Sequence, residues 1–101
     1  MEHIMIQYQG FHPSEFTKSY LDSKLSDLLA QAPSDSSVRA IFTRKNKELV
    51  ASVKIASTRG HFFATARGLH LRDVSRKLAE RVRRRLNRWK KVRVPLAWGG
   101  L

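Results

Sequence analysis

The sequence predicts an α+β domain in the element order β-α-β-β-β-α, with a four-stranded sheet and two helices packed on one of its faces. Two observations support this fold class. Four segments alternate apolar and polar side chains, as half-buried strands do, and two longer segments repeat apolar residues every three or four positions, as amphipathic helices do. Because a small sheet needs a cover over its apolar face, the two helices are expected to supply that cover.

The first strand and the first helix occupy the first third of the chain. Residues 3–9 alternate as a strand, which Gly10 ends. Ser14 is placed to cap a helix over about residues 14–30, and Glu15 in its first turn favours the helix dipole. The apolar face of this helix is expected to comprise Phe16, Tyr20, Leu21, Leu25, Leu28 and Leu29.

Three further strands complete the sheet. The proline-containing polar segment 31–37 is a loop that returns the chain to the sheet, and strands are expected at 38–43, 49–56 and 61–67. The second and third strands are joined by a polar hairpin at 44–48. Its three cations are Arg44, Lys45 and Lys47.

In the fourth strand, alternation places Phe62, Ala64 and Ala66 towards the helices and Phe63 on the opposite face. Two interpretations of Phe63 stay open. It is either a cross-strand packing partner on an open sheet face, or an aromatic group that stacks on an unpaired base of a nucleic acid.

The segment from His70 to Arg93 is an amphipathic helix and also the main basic surface. Between Arg72 and Arg93 there are eleven Lys or Arg and two acids, so +9 of the chain's +12 net charge lies here. The apolar stripe consists of Leu71, Val74, Leu78, Val82, Leu86 and Trp89. Two basic stripes border it, Arg72, Arg76, Arg83 and Lys90 on one flank and Lys77, Arg84, Arg88 and Lys91 on the other.

Further expectations concern individual residues of this helix. Asp73 with Lys77 and Glu80 with Arg84 have the acid-first i,i+4 order that supports a helix. Arg85 falls inside the apolar sector, so we expect the helix to outrun its sheet there and Arg85 to overhang the edge. Residues 1–93 are expected to form one domain. Residues 94–101 follow as a flexible tail, in which Pro95 stops the helix and Trp98 is either a loose anchor or a docking group.

The charge distribution favours a polyanionic partner. The sequence pI is about 11.2, and clustering of cations on one helix is typical of nucleic-acid-binding proteins. Like charges at i,i+4 spacing destabilise a helix, and a polyanion would relieve that cost. A solvated helix face is the alternative interpretation. Residues 1–36 carry a net charge of −3 and are not expected to be the main contact.

Several classes of protein are disfavoured. The absence of cysteine excludes disulfides, thiolate catalysis and cysteine-ligated zinc, and no two of the four histidines have helical ligand spacing. There is no glycine-rich phosphate loop. No run approaches the roughly 20 apolar residues of a membrane span, and no signal peptide is evident. We therefore expect a cytoplasmic monomer that is not an enzyme and uses neither metal nor cofactor.

The chain resembles the ribosome hibernation promoting factor and ribosome-associated inhibitor family in its short form. The resemblance covers about residues 4–91. The segments that carry it are IMIQYQG (4–10), YLDSKLSDLL (20–29), the strand pair around VRAIF (38–42) and ASVKIAS (51–57), GHFFATARG (60–68), and a closing basic helix ending in RLNRWKK (85–91).

The resemblance implies a fold similar to the double-stranded-RNA-binding fold. It also implies a non-enzymatic role in stressed or stationary bacteria. Such proteins occupy the mRNA and tRNA channel of the small ribosomal subunit, bind its rRNA and inhibit translation, and this short form would need a second factor to pair ribosomes. The rRNA contacts are expected at Arg72, Arg76, Lys77, Arg83, Arg84, Arg88, Lys90, Lys91, Arg44, Lys45 and Lys47.

The chain departs from the family pattern at two places. His70, Leu71 and Arg72 stand where Asp-Met-Tyr is common, and Arg67 stands where Glu is common. Both departures add cations. The main alternative function is a free RNA-binding module that reads structured RNA by shape, although such modules begin with a helix. A ribonuclease using His61 or His70 and an anionic-membrane binder are the remaining alternatives.

Overall fold

A computed structural model describes the backbone of residues 3–99 and the side chains of residues 3–90. The elements follow the predicted order β-α-β-β-β-α. They are β1 (Ile4–Gln9), α1 (Glu15–Ala30), β2 (Ser37–Lys45), β3 (Glu48–Ser57), β4 (Gly60–Gly68) and α2 (Leu71–Gly99). The prediction of an α+β domain with one four-stranded sheet is therefore confirmed.

The strands lie in the spatial order β1-β2-β3-β4. β1 pairs with β2 in parallel, and the other two pairs are antiparallel. A parallel pair needs a crossover between its strands, and α1 provides it. The β2–β3 hairpin needs only two connecting residues, because Lys45 is paired with Glu48. Asn46 in this turn has φ 61°, a left-handed conformation that asparagine tolerates better than most residues.

The core lies between the helices and one face of the sheet. α1 packs on β1 and β2, α2 packs on β3 and β4, and the two helices also contact each other. Ser14 caps α1 as predicted, since its Oγ accepts a hydrogen bond from the Thr17 amide at 3.2 Å. The fully buried side chains include Leu21, Leu28, Phe42, Leu49, Val53, Ile55, Val74, Leu78, Val82 and Leu86.

The predicted apolar face of α1 is wrong at Phe16, which is 78% exposed. Leu21, Leu25 and Leu28 of the same prediction are buried. At 100° per residue Phe16 lies roughly 140° around the helix from Leu21, so it cannot share a face with these leucines. The predicted apolar face contained Phe16 because the residue is hydrophobic, without regard to its angular position on the helix.

Helix α2 differs from its predicted length. Val74, Leu78, Val82 and Leu86 of its predicted apolar stripe are buried, whereas Leu71 and Trp89 at the two ends are partly buried. The ring of Trp89 packs edge-on against Phe62, with 5.9 Å between ring centroids. The backbone, however, continues as a helix past Arg93 to Gly99 and so includes Pro95, which supplies no amide hydrogen to the preceding turn. The expectations for Lys91, Trp98 and the flexibility of 94–101 lie outside the described side chains and stay predictions.

Candidate nucleic-acid interface

Helix α2 places cations along both borders of its buried stripe. On the border beside α1, the guanidinium of Arg72 lies 5.9 Å from the centre of the Tyr20 ring, a cation–π distance. Arg83 and Lys90 are exposed and follow on the same side by the helical period. This flank is the first of the two predicted basic stripes. We call Arg72, Arg76, Arg83 and Lys90 the α1-side cations.

Both acids of the described part of α2 lie beside Arg76. Its guanidinium is 3.8 Å from an Asp73 carboxylate oxygen and 3.6 Å from a Glu80 carboxylate oxygen. The expected pairs, Asp73 with Lys77 and Glu80 with Arg84, do not form within residues 3–90. The charge of Arg76 is therefore partly offset by these two acids, whereas Lys77 and Arg84 have no acidic partner among the described side chains.

The other flank of α2 faces the outer edge of β4. Lys77 Nζ donates to the backbone carbonyl of Arg67 at 3.3 Å, and the Arg81 guanidinium donates to the carbonyl of Thr65. The step from Lys77 to Arg81 along the helix matches the step from Arg67 to Thr65 along the strand. Four helical residues rise roughly 6 Å, and two strand residues span roughly 6.7 Å. Since β4 is an edge strand, these bonds satisfy carbonyls that no neighbouring strand can reach.

Four arginines gather where α2 passes this edge. Arg81, Arg84, Arg85 and Arg88 line an open cleft of about 370 Å³, together with Ala64 and Thr65. No acidic side chain of residues 3–90 lines it. Arg85 is exposed beside β4. The expectation that the helix outruns the sheet at this point is wrong, because Trp89, one turn further on, still packs against Phe62 of β4. We call Lys77, Arg81, Arg84, Arg85 and Arg88 the β4-side cations. The predicted fourth member of this stripe, Lys91, lies outside the described side chains.

Sequence reasoning missed Arg81 and used Arg85 only as a marker of the sheet edge. A signal for both was present in the spacing, because Lys77, Arg81 and Arg85 follow one another at i,i+4. Such a row can run alongside an edge strand. The guanidinium groups of the cleft are suited to phosphate, since each is planar, always charged and able to donate two parallel hydrogen bonds to one anion.

The predicted cationic hairpin lies at the other end of this interface. Arg44, Lys45 and Lys47 are exposed, and Arg44 lies 5.5 Å from the centre of the Phe11 ring. Leu49, which follows the hairpin, is paired with Gly68 at the end of β4. The hairpin is therefore near the start of α2, whereas the arginine cleft lies about three to five turns further along the helix. The structure therefore does not bring the hairpin and the arginine cleft into a single cluster.

Arg67, one of the departures from the family pattern, is engaged in an intramolecular ion pair. Its guanidinium donates two hydrogen bonds to the Glu48 carboxylate, Nη2 to Oε1 at 2.8 Å and Nε to Oε2 at 3.0 Å. These bonds lower the pKa of Glu48 and raise the pKa of Arg67. The added cation on β4 is thus balanced by an acid on the neighbouring strand, and it contributes less to the basic surface than its charge suggests.

The predicted position of Phe63 is confirmed. It is 54% exposed and lies on the sheet face opposite the helices, whereas Phe62 is buried under them. Among residues 3–90 no group of three or more His, Asp or Glu is arranged to hold a metal ion, and the four histidines are exposed. No helix within the described part of the chain has the length and apolar character needed to cross a membrane.

The fold is similar to that of two solved structures. A ribosomal subunit interface protein from Coxiella burnetii superposes with a TM-score of 0.74 at 16% sequence identity, over 87% of this chain and 97% of that chain. The N-terminal domain of Protein Y from Thermus thermophilus gives a TM-score of 0.74 at 13% identity, over 88% of this chain and 99% of that chain.

Comparison of the sequence with family models and with curated proteins finds no match. At identities this low, the structural likeness establishes the fold. The likeness confirms, for the fold, the resemblance drawn from the sequence, because the two solved structures have the same architecture over nearly their whole length.

Proposed function

We propose that this protein is a non-enzymatic ribosome-binding hibernation factor. It occupies the mRNA and tRNA channel of the small subunit and inhibits translation in stressed or stationary cells. The observation that carries the proposal is the array of β4-side cations, held in place by a buried stripe on a fold shared with a ribosomal subunit interface protein. A cytoplasmic location follows from this role.

Binding would depend on contacts between exposed cations and rRNA phosphates. Each contact releases condensed counterions, which makes affinity fall steeply with salt. The expected contacts comprise the α2 and hairpin cations predicted from the sequence, with Arg81 and Arg85 added and with a smaller contribution from Arg76. Phosphate contacts fix the pose, and the folded body then excludes mRNA and tRNA by occupying their space.

Cosedimentation with separated small and large subunits tests the proposal. The protein should pellet with small subunits at low salt. With six or more phosphate contacts, its affinity should fall on the order of a thousandfold between about 50 and 200 mM salt. Binding to neither subunit, or binding that does not respond to salt, would contradict the proposal.

A charge-reversal pair locates the contact surface. Replacing both Arg84 and Arg88 by Glu should leave the protein folded, because both side chains are exposed, and should abolish binding to small subunits. The double variant Lys18→Glu with Arg59→Glu changes the net charge equally, at exposed positions outside α2, and should bind nearly normally. If both double variants bind alike, α2 is not the contact surface.

Competition distinguishes the ribosome from bare RNA. A hibernation factor should be displaced from small subunits only by a large excess of duplex RNA. If duplex RNA competes as well as small subunits do, the protein is instead a free RNA-binding module that recognises structured RNA by shape.

A further inference from the structure

The sheet face opposite the helices carries a row of four exposed side chains, one from each strand. Met5 pairs with Arg39, Arg39 with Lys54, and Lys54 with Phe63. Neighbouring strands lie about 4.8 Å apart, so the row is roughly 14 Å long. Met5 and Phe63, at its two ends, are each 54% exposed. The row therefore places two adjacent cations between two apolar groups on an uncovered surface.

The two cations in this row are not balanced by an acid. Arg39 and Lys54 are directly opposite each other, an arrangement in which like charges repel. Within residues 3–90 neither forms an ion pair, and the acid on this face, Glu48, is engaged with Arg67. A hollow of about 190 Å³ lies beside them, lined by Ser37, Arg39, Lys54 and Ala56. An anion bound in the hollow would relieve the repulsion.

The sheet offers Phe63 little apolar packing. Its direct cross-strand partner is Lys54 and its same-face neighbours along β4 are His61 and Thr65, so among residues 3–90 the apolar neighbour on this face of β3 is the small, diagonally placed Ala56. The ring also lines a cavity of about 310 Å³ at the strand edge, which includes Arg85 and Arg88 of α2. Phe63 thus lies between the β4-side cations and the cations of the open face.

We propose that the open sheet face is a second RNA-binding surface, which takes an unpaired, single-stranded segment. One base stacks on Phe63, and the phosphates beside it contact Lys54 and Arg39. Aromatic stacking is available to any base, and single strands are typically held by an aromatic platform together with a cationic groove. This site deepens the proposed function and rests on it for its class of ligand, RNA.

A labelled uridine decamer, which forms no stable duplex, is the probe. Phe63→Leu retains an apolar side chain on the strand but removes the ring, and should weaken binding of the decamer about fivefold to a hundredfold. Phe63→Trp should restore it. Phe16→Leu is the matched control, because it removes an exposed aromatic ring on α1, away from this face, and should bind as the unmodified protein does.

Three results would refute the proposed site. The unmodified protein does not bind the decamer, the Phe63→Leu variant binds the decamer normally, or the Phe63→Leu and Phe16→Leu variants lose affinity for the decamer equally. Cosedimentation with small subunits separates this site from the proposed function. If subunits bind but the decamer does not depend on Phe63, the open-face site alone is refuted. If the decamer depends on Phe63 but subunits do not bind, the proposed function alone is refuted.

Discussion

Replacement of Leu78 tests whether the basic helix is held by its apolar stripe. Leu78 lies about two turns into α2 and is 2% exposed. Truncating a buried leucine to alanine costs about 2–5 kcal/mol, because the transfer energy of the lost carbons adds to the cost of the cavity. A domain of this size has a total stability of about 5–15 kcal/mol. We therefore expect Leu78→Ala to stay folded, with a melting temperature about 12–24 °C lower for a loss of about 3 kcal/mol.

Leu78→Asp should be more damaging, because it also places an unpaired carboxylate in the core. We expect this variant to be unfolded at room temperature. Thermal unfolding followed by circular dichroism measures both changes. Leu69 is the matched control, since it is 64% exposed just before α2 and its replacement by Ala or Asp should change stability by no more than about 0.5 kcal/mol. A folded Leu78→Asp variant with an unchanged melting temperature would show that α2 does not pack as described.

Two further predictions concern single contacts. The amide and hydroxyl of Thr58 donate to the Asp35 carboxylate at 2.9 and 2.6 Å and lower its pKa. These hydrogen bonds should therefore contribute fully to folding stability above the pKa that Asp35 has in the unfolded state. Their contribution should be lost as the pH falls through the lower pKa of Asp35 in the folded state. In an NMR titration, Thr58→Ala should raise the Asp35 pKa, and no change would refute this assignment. Gly10 has φ 83°, and a Cβ there would lie 2.6 Å from the Arg44 carbonyl oxygen. Gly10→Ala should therefore cost at least about 1–3 kcal/mol, and chemical denaturation showing no loss would contradict this.

The fold could be predicted because each element carries a strong periodic signal. In β3, Leu49, Ala51, Val53 and Ile55 alternate as one buried face, and the structure buries all four. In α2, the stripe from Val74 to Leu86 is buried along its length. Periodicity does not fix where a helix ends, since the backbone of α2 passes through Pro95 and reaches Gly99.

The candidate site was less predictable, because spacing along one element does not show what the neighbouring element offers. Lys77 was expected to pair with Asp73, but it donates instead to the Arg67 carbonyl on β4. The i,i+4 spacing of Lys77, Arg81 and Arg85 could be interpreted only once β4 was known to be an edge strand with carbonyls beside the helix. Pairings within a helix compete with partners from other elements, and only the three-dimensional arrangement decides between them.

The two flanks of α2 differ in the kind of partner that they find, and this difference orients the basic surface. On the α1 side, Arg76 lies between two carboxylates, which offset its charge. On the β4 side, Lys77 and Arg81 each donate one hydrogen bond to a neutral backbone carbonyl, which leaves their full charge in place. The potential should therefore be highest along the β4 edge. A polyanion attracted there would meet Phe63 at the same edge, so the two proposed RNA surfaces adjoin at β4.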